Sequence, residues 1–175
     1  LGIAGGIILD QYSDHQIRRS PANTNYVSGC IQLFRQQCYE DIGGLHSIKE
    51  GGEDTIAAVT AQMKGWKVEA FEDLKVLHHK HSEAVRGILS ESFREGRMFY
   101  ALGSHPLIEI PKCIKRISVA PYFLCAFVRM IGYSWPYCKR QKRPVSDEFI
   151  RFLRKEQFAQ LRNVFMKKGK RKHPK

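Results

Sequence analysis

An α/β fold is what the sequence predicts, and three observations predict it. Short apolar runs alternate with segments whose apolar residues recur at helical spacing. Glycines close those segments, as at Gly43-Gly44 and Gly65. With 175 residues, 43% of them hydrophobic, the chain is long enough to bury a core. Strands alternating with helices imply a layered architecture.

The elements follow in order. Residues 2–9 read as a buried strand, with glycines where another backbone comes close. Residues 10–25 are polar, contain Pro21, and read as a loop. Residues 31–34 read as a short strand and 36–42 as a short helix. Residues 54–64 form the next expected helix, with Ile56, Val59, Thr60 and Met63 on one face. Residues 66–68 and 75–77 are candidate strands. Ser82 is placed to cap a longer helix that buries Val85, Ile88, Leu89 and Phe93.

Beyond residue 105 the character changes. Residues 117–128 are uncharged, and Arg129 then interrupts them. A spanning helix needs about 20 apolar residues, so this run is too short to cross a bilayer cleanly. Tyr133, Trp135 and Tyr137 precede Lys139, Arg140, Lys142 and Arg143. Aromatics beside cations suit a membrane–water boundary; an ordinary helix packed on the domain fits the same pattern. Ser146 is a good N-cap, followed by Asp147 and Glu148 in a first turn that favours acids. Ile150, Leu153, Leu161, Val164 and Phe165 then form one apolar face. The expected organisation is therefore an α/β part over 1–105, an apolar and basic segment over 106–145, an amphipathic helix over 146–166 and a disordered basic tail over 167–175.

The formal net charge of +12 is unevenly spread, and the basic tail reads as a solvated, disordered end or as attraction to something anionic, either lipid headgroups or nucleic acid. The nucleic-acid version lacks a recognisable reader motif. Five cysteines without a CxxC pair read as reduced core residues in a cytosolic setting. The chain begins at Leu1 and its first methionine is Met63, which reads as a piece of a longer protein. Residues 1–9 lack the basic region and cleavage site of a signal peptide.

The sharpest local feature is Gly51-Gly52-Glu53-Asp54. Two glycines let the backbone approach something closely, and two acids then open a helix whose start favours negative charge. A carboxylate held there can act as a general base toward a hydroxyl; it can also merely satisfy helix-start donors. Upstream lie Val27-Ser28-Gly29-Cys30-Ile31-Gln32-Leu33-Phe34-Arg35 and Tyr39-Glu40-Asp41-Ile42-Gly43-Gly44-Leu45. Downstream lie Lys64-Gly65-Trp66-Lys67-Val68 and Val76-Leu77-His78-His79. This ordered set, over about residues 1–105, resembles the second half of the family 2 glycosyltransferases, which adopt the GT-A (Rossmann-like) fold.

The resemblance implies a nucleotide-sugar donor, an acceptor hydroxyl and an inverting, metal-dependent transfer; the reduced cysteines and the apolar, basic segment place it in the cytoplasm, at the cytoplasmic face of a membrane. The resemblance assigns Asp54 as catalytic base and Glu53 as the residue that orients the acceptor. Ser28 and Gly29 would line the donor sugar and acceptor, with Gly51 and Gly52 leaving room beside them. His78, or alternatively His79, would join in binding Mn²⁺ or Mg²⁺; His81 lies close by in sequence. Arg94 and Arg97, in Phe93-Arg94-Glu95-Gly96-Arg97, match a helix of non-processive relatives and suit a diphosphate. They read equally well as surface charges. The QxxRW motif of processive members is absent, and so is a DxD metal motif after a strand; Glu72-Asp73 stands after the Glu-Asp pair instead. The donor half would then precede Leu1. The competing expectation is a basic α/β module that binds anionic lipid or nucleic acid without catalysis.

Overall fold

The computed structural model describes residues 1–11, 17–19, 26–79, 85–115 and 122–170. It is a mixed α/β structure that divides into two compact units, Leu1–Ile88 and Leu89–Lys175.

The first unit is built on a mixed sheet. Strand β1 (Ile3–Gln11) is its hub. At its two ends β1 pairs antiparallel with β2 (Ile17–Arg19) and β3 (Leu33–Phe34), and along its length it pairs in parallel with β4 (Val68–His79). Helices α1 (Gln36–Asp41) and α2 (Glu53–Met63) lie in the connection between the two parallel strands. Ile3, Ile7, Val27, Cys38, Ala58 and Val68 belong to one buried cluster with the alanines of α2.

The glycines of β1 are there for close approach. A β-carbon on Gly5 would lie 2.7 Å from the Ile31 carbonyl oxygen, and one on Gly6 would lie 2.3 Å from that of Leu74. Gly6 faces an irregularity: Gly5 is paired with Ala70 but Ile7 with Lys75, so β4 places four residues, 71–74, against the single Gly6. The two strands expected at 66–68 and 75–77 are therefore one interrupted strand. Its exposed Glu72-Asp73 segment lacks the apolar alternation that marks a strand.

Three other expectations are corrected here. The loop expected over 10–25 begins later, because Asp10 and Gln11 complete β1, and it contains β2; residues 12–16 and 20–25 lie outside the described residues. The strand expected over 31–34 is a 3₁₀ turn at Gly29–Ile31 followed by a two-residue β3. Helix α2 buries Ala57, Ala58 and Ala61 beside Ile56 and Val59, while Thr60 and Met63 are only half-buried.

The second unit is helical. It comprises most of α3 (Val85–Ala101), then α4 (Pro106–Lys115), α5 (Tyr122–Cys138) and α6 (Asp147–Lys170). Most of α3 packs within the second unit. A β-carbon on Gly96 would lie 2.2 Å from the Arg129 carbonyl oxygen, and one on Gly132 would lie 2.2 Å from that of Phe93. Two glycines thus bring α3 and α5 into backbone contact. Ser92, Gly96, Tyr100 and Ala101 are the buried members of α3, while Ile88, Leu89 and Phe93 are half-buried. Ser82 and the Val85 side chain lie outside the described residues.

Arg129, which interrupts the apolar run in the sequence, is buried. Its guanidinium meets Glu95 at 2.7 Å and Glu109 at 3.0 Å. Glu109 also accepts hydrogen bonds from Lys112 Nζ and Ser104 Oγ, both at 2.7 Å. Burial alone would raise the Glu109 carboxyl, but the charge of Lys112 and the hydrogen bonds from Lys112, Ser104 and Arg129 bring it below the usual range. Among the described residues, no helix is long and apolar enough to cross a membrane.

At the start of α6 the Ser146 hydroxyl accepts the Phe149 N–H at 3.2 Å, as its capping position requires. The helix runs to Lys170, so the tail expected from 167 is helical for its first four residues. Residues 171–175 lie outside the described residues, as do the side chains of Val164 and Phe165.

Candidate functional site

The start of α2 is set by glycine stereochemistry. Gly51 and Gly52 have φ of 83° and 98°, in the left-handed region, where an L side chain is strained. Gly52 is the N-cap and contributes no side-chain cap. Glu53 and Asp54 therefore fall in the first helical turn, where the helix dipole favours negative charge.

Asp54 is gripped from two directions. Its Oδ1 accepts the Thr55 N–H at 2.7 Å, which satisfies one helix-start donor. Its Oδ2 faces the segment before the 3₁₀ turn, accepting the Tyr26 hydroxyl at 2.5 Å and the Gly29 N–H at 3.1 Å. Gly29 is needed for that approach, since a β-carbon on it would lie 3.0 Å from the Asp54 β-carbon. Gln32 ties the same segments together, its Nε2 donating to the carbonyls of Val27 at 2.9 Å and Asp54 at 3.2 Å. Capping is thus one part of what Asp54 does, and its second oxygen is committed to a segment 25 or more residues away.

Tyr26 is the partner that the sequence did not reveal. Burial, and then its hydrogen bond to Asp54, push its phenol above the ordinary value of 10.0, so it stays protonated and donates. Its neighbours Val27-Ser28-Gly29 were legible as a motif, but an isolated tyrosine before them carries no periodic or spacing signal. Glu53 accepts the Ser47 hydroxyl at 3.1 Å. Ser28 precedes the 3₁₀ turn, with its hydroxyl 3.7 Å from the Cys30 thiol.

The histidines form a separate cluster. The β1–β4 register sets Asp10 opposite His78 and Gln11 opposite His79. His78 Nδ1 lies 3.0 Å from Asp10 Oδ1, with the histidine side chain 48% exposed and the aspartate 12%. When the carboxylate holds the Nδ1 proton, Nε2 is left with its lone pair, the arrangement that braces metal-binding imidazoles. Asp10 lies five positions along β1 from Gly5, whose neighbours lead to the Asp54 cluster, roughly 16 Å of strand rise. His79 is exposed, and His81 lies outside the described residues. Among the described residues, no group of three or more His, Cys, Asp or Glu side chains is placed to hold a metal ion. His78 with Asp10 can supply one braced ligand, and further donors would have to come from elsewhere.

A cleft of about 450 Å³ opens where β4 is irregular, lined by Ile7, Leu9, Glu72, Asp73 and Lys75. Asp54 is not part of it. Arg94 and Arg97 belong to the second unit. Arg94 sits in an exposed pair with Glu91, its Nε at 2.9 Å, and Arg97 is half-buried. No protein-family model, no curated protein and no solved structure matches the chain.

Proposed function

We propose that this chain is the acceptor-side half of a glycosyltransferase of the family 2 type, with a GT-A-like arrangement. In this reading it moves a sugar from a nucleotide-sugar donor to an acceptor hydroxyl with inversion. The observation that carries the reading is Asp54. It is a carboxylate held at both oxygens, at a helix start framed by Gly29, Gly51 and Gly52. A group so fixed needs little reorganisation to receive a proton. The mixed sheet, with α2 in the connection between parallel strands, supports the same assignment.

The chemistry assigned to these residues is short. The acceptor hydroxyl gives its proton to the Asp54 carboxylate as its oxygen bonds to the sugar's anomeric carbon, and the bond to the departing diphosphate breaks on the opposite face. Tyr26 and the Gly29 N–H keep the carboxylate aimed. Glu53, steadied by Ser47, stands beside it to orient the acceptor. A divalent cation, Mn²⁺ or Mg²⁺, would supply charge neutralisation for the diphosphate, and His78 is the residue here that would help hold it. Most of the nucleotide-sugar site would lie outside this chain in this reading, with Ser28 and Gly29 lining the donor sugar from this side. The reading rests on the first unit and takes nothing from Arg94 or Arg97.

The test is made in the full-length protein. Asp54→Asn keeps the shape and removes the basicity, and turnover falls about 10²- to 10⁴-fold. Nucleotide-sugar affinity is retained. In a metal titration of the same protein, His78→Ala raises the concentration required and His79→Ala does not. Near-normal turnover by Asp54→Asn overturns the reading.

A further inference from the structure

Helix α5 presents an apolar stripe that is exposed among the described residues. Phe123, Phe127, Ile131 and Trp135 recur every fourth residue and are 71%, 64%, 38% and 47% exposed. The opposite face is spent on packing, with Cys125, Ala126, Arg129, Gly132 and Tyr133 buried. From Phe123 to Trp135 the stripe rises through thirteen residues, about 18 Å at the α-helical rise. It is too short to cross a bilayer, and Arg129 is locked in its ion pairs on the buried side.

The surrounding charge selects the occupant. From Ile110 to Ser146 the chain has eight Lys and Arg and no Asp or Glu; Arg129 and Lys112 are spent on Glu95 and Glu109, while Lys139, Arg140 and Lys142 stand exposed. Lys139 lies over the Trp135 ring at 5.3 Å, so the last aromatic of the stripe ends beside a cation, and Arg140 and Lys142 follow exposed. A second copy of the chain would bring like charges together, which opposes self-association. An anionic bilayer meets both demands. Acyl chains cover the aromatics, and headgroups neutralise the cations that follow Trp135.

We infer that α5 docks in the plane of an anionic membrane surface through Phe123, Phe127, Ile131 and Trp135, with Lys139, Arg140 and Lys142 at headgroup depth. This inference is independent of the transferase reading.

The experiment is vesicle flotation with the intact chain. Vesicles are made of phosphatidylcholine alone or with phosphatidylglycerol added. The chain floats with the anionic vesicles at low salt, stays behind with the neutral ones, and is released as salt shortens the reach of its charges. The double variant Phe123→Ser, Phe127→Ser loses about tenfold or more of this affinity while keeping its circular dichroism, because both side chains are already solvent-facing. In a Trp66→Phe background, Trp135 emission shifts to the blue on anionic vesicles and is shielded from an aqueous quencher. Failure of the parent chain to float with anionic vesicles overturns the inference, as does wild-type flotation by the double variant. So does a Phe-dependent dimer with no vesicle binding, which would assign the stripe to a second copy.

Discussion

Asp54 accepts hydrogen bonds from Tyr26, Gly29 and Thr55, and each donor restricts a different freedom of the carboxylate. The two backbone donors are insensitive to substitution by residues that keep the local conformation, so Tyr26 is the removable contact. Tyr26→Phe retains the ring and deletes the hydroxyl. The expected cost is about 1.5–3 kcal/mol, the range for a hydrogen bond to a charged group, read as a lower denaturant midpoint at unchanged slope. If Asp54 is the base, the same variant lowers turnover in the full-length protein, but less than Asp54→Asn does. An unchanged midpoint would show that water replaces the hydroxyl without loss. At this scale the helix start carrying Glu53 and Asp54 was legible, because a glycine pair before two acids and a helix is a local pattern. The sequence did not reveal Tyr26, whose meeting with Asp54 spans 28 positions and depends on how the 26–29 segment lies against α2.

The elements repeat that division between local and distant causes. The start of α2 and the cap at Ser146 follow from backbone stereochemistry and side-chain reach, and both were legible. The contact between α3 and α5 was not, since Gly96 and Gly132 read singly as weak points in helices. Together they are the surface on which two backbones touch. Gly132→Ala is therefore expected to destabilise the second unit by about 1–3 kcal/mol, as overpacking does, although alanine is the better helix former. Thermal unfolding decides the matter, because a rise in Tm would mean that helix propensity outweighs the lost contact.

In the molecule taken whole, the titrating groups set a pH window. Glu109 is held below its ordinary 4.5, so its contribution is present above that pH and is lost as pH falls through the lowered value. Tyr26 and Tyr133 are both raised above 10.0 by burial first, then by hydrogen bonds to Asp54 and Tyr137 respectively. Their contributions are complete below pH 10.0 and are lost as pH rises through the raised values. Stability measured against pH should thus fall off at both ends, and Glu109→Gln should make the acid limb shallower while lowering the plateau. Arg129→Met removes the shared partner of Glu95 and Glu109 and should cost about 3–5 kcal/mol, the usual consequence of orphaning a buried charge. The sequence by itself determined the mixed α/β class, the glycine-framed helix starts and ends, the capped final helix and the position of Asp54. These depend on period, φ and side-chain reach over a few residues. Only the tertiary structure decided that Asp10 meets His78 across 68 positions, that β4 is one interrupted strand, and that Arg129 is buried rather than exposed. Those outcomes depend on strand register and on competition among packings, and their free energies are summed over residues far apart in the chain.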